Sequence, residues 1–561
     1  MERDTTSSTR GSEHVYDALV DAGITVIVGL PGTQTLPIDR TIAEREEIKY
    51  VMARHETAIP HIAWGYYESG GGVAATLTVP GPGDTNAAHG LKNALNDGVP
   101  IVHISTDSDP DAFGTHPIHE IEPDTFDNVV KENITLSKPH RLREVLARGC
   151  EIARTPPYGP VRLGIPSDVL ADEIDAPLVS VTPEHTDFDI DAAAEQAATL
   201  LSDGRRPIVY VGGGARRSPG GRDAIRRLID RLNVPVLASF KGQGVFPETD
   251  DRFLGVTGGD LPAGARQTLN AAEVVLALGT DFDSLNTDGW SLPMGERLIH
   301  VDVDPAELGA VYEPDVGIVG DVSVVCEAIL EKLEDLKVAP KWDGAALATA
   351  VREEYVDHLR STGLLDDGPP LSTPGALQTV RVSVPDETVV VTDIGGHRIW
   401  SKNAFRAYSP EKFVTAGSWA GMGVGLPGAI GAKLANPDRP VVALSGDGSL
   451  FMCAQELHTA AEYGLDVTVV VFNDADYAVI SKSPKLKGHV DFRWDSPDWV
   501  GLAESYGCQG RRAGTRSTLR EALEWAPYAD GPTLIDVAID PNEPTAVDAA
   551  AYETDVDPTA F

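Results

Sequence analysis

Lysine is scarce in this chain, cysteine scarcer still, and no long apolar run occurs. Only 14 Lys stand beside 32 Arg, and these 46 basic residues face 85 Asp and Glu, a formal charge of −39 over 561 residues. A polyanion of that balance is repelled by nucleic acid phosphates and by anionic membrane surfaces, which disfavours both as partners. No apolar stretch approaches the roughly 20 residues that cross a bilayer, and the opening MERDTTSSTR has no signal-peptide core. Four scattered cysteines (Cys150, Cys326, Cys453 and Cys508) show neither a disulfide framework nor metal-ligand spacing. The expectation is a cytoplasmic protein with no nucleic-acid or membrane partner.

The lysine shortage carries information of its own. A strongly hydrated carboxylate surface with few lysines suits a medium in which salt screens self-repulsion, since the Debye length falls to about 3 Å at 1 M salt. The acidity therefore points to a halophilic setting and says little about the chemistry.

Three stretches read as alternating strands and helices. The first, 1–172, contains ITVIVGL, GVAATLTV and IVHIST; the second, 187–335, contains PIVYVGGG, EVVLALGT and LIHVDVD; the third, 372–545, contains TVVVTDIGG, PVVALSGDGS and DVTVVVFND. β-branched runs bounded by Gly and Asp, with helical segments between them, indicate buried parallel strands. The fold class is therefore α/β: three doubly wound parallel-sheet domains in series, with ligands expected beyond the carboxyl ends of the strands. The stretches 172–191 and 336–374 read as linkers, and 546–561 as an acidic tail.

The strongest chemical signal is Ser445–Gly446–Asp447–Gly448–Ser449, followed 26 residues after Asp447 by Asn473–Asp474. Both groups end a predicted strand. The first also opens the helical pattern LFMCAQELHTAAEYG. Gly446 and Gly448 permit a tight turn, and the N–H groups of Gly448 and Ser449 at a helix start suit a phosphate. Asp447 with the Asn-Asp pair supplies hard oxygen ligands for a Mg²⁺ that bridges to that phosphate. Alone, GDG is most often a capped turn; the second element, in register, is what makes it a site.

With these motifs in place the chain resembles the thiamine-diphosphate-dependent decarboxylases and carboligases, most closely the acetolactate synthase large-subunit group. The resemblance runs over roughly residues 12–545. It implies thiamine diphosphate and Mg²⁺ as cofactors, with a pyrimidine-binding first domain, a central domain and a diphosphate-binding third domain. It puts the metal on the carboxylates of Asp447 and Asp474 and the backbone carbonyl of Asp476, although relatives usually carry Asn in place of Asp474, and a one-residue slip would make Asn473 the ligand. YVMARHETAIPHIAWGYYESGG matches the segment of the catalytic glutamate, at Glu56. PGPGDTNAAHG places Asn86 in the Gly-Pro-Gly loop. TDIGGHRIW puts Gly396 and His397 at the diphosphate end. SWAGMGVGLPGAIGA puts Met422 under the bent cofactor and offers the Ala420 carbonyl to its aminopyrimidine. Burial against the pyrimidine is expected to raise the Glu56 pKa and favour proton exchange near neutrality.

The implied activity is decarboxylation of a 2-oxo acid with carboligation, two pyruvates giving 2-acetolactate and CO₂. The alternatives are a non-ligating decarboxylase or another carboligase of the same family. Ser483, near the place where synthases favouring 2-oxobutyrate carry Trp, and the GLPGT opening, which lacks a second glycine, are departures from the synthase pattern. His116 and His119 are expected to line the substrate side. Glu56 is implied to serve a cofactor held by a neighbouring subunit, so a homodimer or homotetramer is expected. Some relatives hold FAD in the central domain, but no decisive feature here points to it. Gly423, Gly425 and Gly428 form a formal GxGxxG, the mark of a nucleotide-binding oxidoreductase, yet Asp447 beyond them suits a phosphate-metal turn better than a ribose ligand.

Overall fold

A computed structural model describes residues 9–108, 110–177, 189–336, 340–483 and 489–561. Most of the first expected linker and residues 484–488 of YAVISKSPKLKG lie outside the described residues.

Each domain is built on a six-stranded, all-parallel sheet. The first holds β1 (Val26–Gly29), β2 (Lys49–Met52), β3 (Ala74–Thr78), β4 (Ile101–Ser105), β5 (Glu132–Thr135) and β6 (Val161–Gly164), in the order β2-β1-β3-β4-β6-β5. The central sheet holds β7 (Pro207–Val211), β8 (Val236–Ala238), β9 (Phe253–Val256), β10 (Val274–Leu278), β11 (Arg297–Asp302) and β12 (Val316–Val319), ordered β9-β8-β7-β10-β11-β12. The third holds β13 (Val389–Thr392), β14 (Phe413–Thr415), β15 (Val441–Gly446), β16 (Val467–Asn473), β17 (Gln509–Ala513) and β18 (Thr533–Ala538), ordered β14-β13-β15-β16-β18-β17. The outer two sheets thus have one strand order, and the central one follows the dinucleotide-fold order. No short-period repeat announces this kinship, because what recurs is the path of the chain.

Eight helices position the site: α1 (Ala58–Glu68), α2 (Pro82–Asn96), α3 (Gly344–Ser361), α4 (Thr373–Ser383), α5 (Gly396–Ala404), α6 (Gly425–Ala435), α7 (Asp447–Leu450) and α8 (Glu456–Glu462). The first and third domains share one core, in which Ile59, Ile62 and Trp64 of α1 join Leu426, Ala429 and Ile430 of α6. Small residues set that approach. A Cβ on Gly65 would stand 2.1 Å from the Gly428 carbonyl oxygen, and one on Gly431 would stand 1.9 Å from that of Ile62. This seam accounts for the GxGxxG pattern. Gly428 packs on Trp64, and the Gly423 and Gly425 amides donate to Asp393, so these glycines serve packing and a carboxylate cradle and not a pyrophosphate.

Two expectations need correction. The helical run after GDGS breaks into the single turn α7 and the separate helix α8, at whose start Glu456 turns its carboxylate to the Arg54 amide of the first domain (3.1 and 3.2 Å) and to the Thr459 hydroxyl (2.7 Å). The supposed tail is an ordered strap. Thr554 and the Asp555 amide donate to Glu354 of α3, Tyr552 stacks on Tyr355, and the Trp342 indole donates to the Pro558 carbonyl.

Candidate active site

Register brings the acidic group together. Gly446 pairs with Phe472 across β15 and β16, so Asp447 leaves its strand beside Asn473 and Asp474. Asp447 is 2% exposed; its Oδ1 accepts from the Gly448 amide and its Oδ2 from the Ala475 amide, both at 2.9 Å. Burial, and then the neighbouring Asp474, pushes the Asp447 carboxyl up to about 7. Burial likewise lifts Asp474 to about 6, opposed by Lys482. Among the described residues no group of three or more acidic, His or Cys side chains that could hold a metal occurs, and none is required by two carboxylates and a backbone carbonyl. Two neighbouring carboxylates, each raised by desolvation, are a donor set that a hard divalent cation satisfies. Asn473 is otherwise engaged: its amide donates to Ser496 Oγ (2.9 Å) and Asp536 Oδ1 (2.8 Å). The Asp476 carboxylate accepts from Ser481 Oγ at 2.5 Å.

The anticipated phosphate contacts are rearranged. The Gly448 amide is taken by its own neighbour Asp447, and Ser449 Oγ donates to the Ile394 carbonyl at 2.6 Å. Gly448 must stay small, since a Cβ there would meet the Tyr477 ring at 2.8 Å. His397, one residue into α5 after Gly396, is buried and stacked on Phe472, with ring centroids 5.3 Å apart. Burial pushes it down to about 4, and its Nε2 is a buried atom without a hydrogen-bond partner among the described residues. A Cβ on Gly446 would lie 3.5 Å from that imidazole. An orphaned imidazole nitrogen beside the glycine turn that leads into Asp447 fits a phosphate-bearing cofactor.

Asp393 was not singled out by sequence reasoning, although it stands within TDIGG. It is fully buried and accepts from the amides of Ile394 (2.7 Å), Gly423 (3.0 Å) and Gly425 (2.8 Å). It thereby fixes the loop bearing Met422, which is half-buried, and Ala420, which is held at φ 50°. The signal was available: an acid ends the strand β13, where open sheets place functional groups.

Across the domain boundary, Glu56 lies between β2 and α1. It is half-buried, its Oε2 accepts from Asn86 Nδ2 at 3.1 Å, and its Oε1 would be 3.8 Å from a Cβ on Gly83. The third domain bolts the preceding residues in place. Besides the Glu456 contact, the Met52 amide donates to Tyr463 Oη (2.8 Å) and Arg54 pairs with Glu462 (2.5 Å). Asn86 opens a line of contacts along α2: His89 accepts from the Trp419 indole (3.3 Å) and lies against Gly421, Asn96 donates to Ser418 Oγ (3.0 Å), and Asp97 accepts from the Gly417 amide (2.8 Å).

The two histidines separate. His119 bonds Gln34 Oε1 (3.2 Å), and its backbone closes on Gly81, beside the Glu56 loop. His116 points outward, its side chain 95% exposed. Ser483 is half-buried, with its amide donating to the Ile480 carbonyl at 3.0 Å.

Comparison with known proteins agrees in all three domains. Residues 9–127, 194–329 and 393–537 match the families described as the N-terminal TPP binding domain, the central domain and the C-terminal TPP binding domain of thiamine pyrophosphate enzymes. The chain belongs to the thiamine-diphosphate-dependent enzymes. Within that family it is similar to acetolactate synthase large subunits. It is 30% identical to the probable large subunit of Methanococcus aeolicus, covering 95% of this chain and 92% of that one, and 32% identical to the large subunit of Parasynechococcus marenigrum, covering 94% and 87%. The isozyme 1 large subunit of Escherichia coli is 28% identical over 96% of both. The chain is an enzyme of this acetolactate-synthase-like, thiamine-diphosphate-dependent type.

Proposed function

We propose that the enzyme takes two pyruvates to 2-acetolactate and CO₂, with the uptake of one proton. The observation that carries this reading is the neighbouring pair of carboxylates, buried Asp447 and half-buried Asp474, at the carboxyl edge of the third sheet, with the His397 imidazole beside the Gly446 turn. These carboxylates and the Asp476 carbonyl would hold Mg²⁺, and the ion with His397 and the Gly446–Ser449 turn would hold the diphosphate. Bound there, thiamine diphosphate supplies the electron sink for breaking and forming a carbon–carbon bond beside a carbonyl. Glu56 keeps Oε2 on Asn86, which leaves Oε1 to take and return a proton. Met422 and the Ala420 carbonyl, on the loop that Asp393 fixes, orient the ring portion. His119 and Ser483 fall on the substrate side, and His116 only if a second subunit covers it.

The site is shared between subunits of a homodimer or homotetramer. Phe451, Met452, Tyr477, Val479 and Ile480 expose large apolar side chains around the carboxylate edge, where the first domain of a second copy would be received. Among the described residues of the central domain nothing points to FAD. Asp281, Asp283, Asp302 and Glu307 gather near the carboxyl ends of β10 and β11, and Asp302 is pushed up to about 7 by burial and by its acidic neighbours. The charge balance supports a salt-loaded cytoplasm as the setting. Among the described residues no helix is long and apolar enough to cross a membrane. Stability that did not rise across graded KCl would remove the halophilic reading.

The deciding assay feeds pyruvate to the purified enzyme with thiamine diphosphate and Mg²⁺ and compares acetolactate with free acetaldehyde. Acetolactate is expected. Aldehyde alone would replace carboligation by simple decarboxylation, and no CO₂ release would overturn both.

A further inference from the structure

Arginines in so acidic a chain mostly stand beside carboxylates, but four that converge on one cavity have at most distant, exposed ones. The cavity, of about 370 Å³, opens where β9 of the central domain meets α3, α4 and the end of α5. Arg352 comes from α3, Arg381 from α4, Arg406 from just past α5, and Arg516 from the first turn of the helix Arg516–Trp525. Their hydrogen bonds go chiefly to carbonyls. Arg352 Nη1 donates to Asp250 (2.8 Å) and Phe253 (2.5 Å), Arg381 Nη2 to Val384 (3.2 Å) and Pro385 (3.0 Å), and Arg516 Nη1 to Leu365 (2.7 Å). The carboxylates paired with Arg352 and Arg381, those of Asp251 and Asp386, stand 3.8 Å off and are about four-fifths exposed.

Burial sharpens the imbalance. Arg381 is only 9% exposed, and its Nε is buried without a hydrogen-bond partner among the described residues. Arg406 and Arg352 act on each other as like charges, one cause of the lowered Arg352 pKa after burial. Lys402, also in the wall, is neutralised by an ion pair with Asp260. The one acid lining the cavity, Glu248, is fully buried and lifted to about 8 by burial, so at neutral pH it is mostly the uncharged acid and cancels little of this positive charge. One wall is aromatic: the Arg381 guanidinium lies over the Tyr408 ring at 4.4 Å and the Phe405 ring at 5.4 Å.

Uncompensated buried cations cost stability, while guanidinium forks match the geometry of carboxylate and phosphate. The cavity is also of the size that takes small ligands, roughly 300 Å³ and above. We propose that this cavity binds a small organic oxyanion, its phosphate or carboxylate head held by Arg352, Arg381, Arg406 and Arg516 and its apolar body set against Phe405 and Tyr408. The site is distinct from the cofactor's. Lys402 and Asn403 line it five and six residues beyond His397 on α5, a rise of about 8 Å.

Calorimetric titration of the enzyme loaded with thiamine diphosphate and Mg²⁺, at constant KCl, tests this with phenyl phosphate, benzoate and inorganic phosphate as probes. Loading keeps the diphosphate site filled. Saturable binding of phenyl phosphate or benzoate is expected, and the tighter of the two identifies the head group. Arg381→Gln and the exposed Arg406→Glu should each weaken it by about ten-fold or more, the scale of losing a charged hydrogen bond. Arg227→Gln, which breaks a surface pair with Glu327, should leave it unchanged. Arg406→Glu keeps the test usable if Arg381→Gln does not fold. The site is overturned if none of the probes binds saturably, or if a probe binds equally well to both arginine variants.

Discussion

The first and third domains follow the same strand order, yet each treats a buried aspartate near the carboxyl end of its third strand in an opposite way. In the first, Asp84 lies six residues beyond Thr78 and is fully buried. It accepts from Arg162 Nε (2.9 Å), from Thr78 Oγ1 (2.7 Å) and from His103, whose Nε2 stands 3.0 Å away. The Arg162 guanidinium, with His103 and Thr78, holds that carboxyl well below the usual range despite burial. In the third, Asp447 follows Gly446, accepts from two backbone amides and has a second acid beside it, and its carboxyl is lifted to about 7. One aspartate carries its counter-cation inside the fold. The other has no such partner among the described residues, and under the proposed function it would take one from solution. A shared chain path therefore does not distribute the chemistry; the presence or absence of one arginine does.

Exchanging the roles of these two acids tests the comparison with the largest effects. Asp447→Ala should release Mg²⁺ and thiamine diphosphate and cut activity by more than the roughly 100-fold that losing a mere outer partner costs, while barely lowering the melting temperature. Asp84→Ala should do the reverse. It removes one of the two carboxylates that hold Arg162, leaving Asp107 at 2.5 Å, and is expected to cost about 3 kcal/mol in denaturant unfolding. If Asp84→Ala instead lost cofactor at unchanged stability, the contrast would be broken. Next in size, Glu56→Gln should keep cofactor and lose about 10²–10⁴-fold in turnover. Mixing Glu56→Gln subunits with Asp447→Ala subunits then sharpens the picture. A site shared between chains regains activity in the mixed dimer, whereas a site within one chain stays dead.

Smaller effects probe the scaffold. Gly65→Ala pushes a methyl against the Gly428 backbone and should cost about 1–3 kcal/mol or more in thermal unfolding, as overpacking does. Glu248 is the gentlest handle. Its folded pKa, about 8, lies above the ordinary 4.5, so the stability it allows at low pH is lost as pH rises from about 4.5 toward 8. Glu248→Gln should flatten that decline by about 1.4 kcal/mol for each pH unit crossed, read from melting temperatures at a series of pH values.

Much of this was legible in the chain. β-branched runs ending in Gly and Asp gave the parallel strands because both sheet faces are covered, and SGDGS with Asn473–Asp474 pointed to the third-domain edge because register places strand ends side by side. What escaped was non-local. Nothing near Asp393 in sequence shows that it collects three amides, two of them thirty residues away. Glu456 reads as an ordinary helical glutamate until Arg54 is brought to it from the first domain. The carboxyl-terminal strap looked like a tail because its acids mark solvent exposure, while the anchors, Tyr552 and the Pro558 carbonyl, are single residues whose partners lie on and beside a helix two hundred residues earlier.

The helix Pro82–Asn96 touches Glu56 at its first turn and the Gly417–Gly421 stretch along the rest of its length. Glu56 and the loop that ends in Met422 are thus gauged from a single rod. In a dimer that shares its sites they would serve two different cofactors, so grafting that loop from a relative without the rod would disturb the neighbouring site as well as its own.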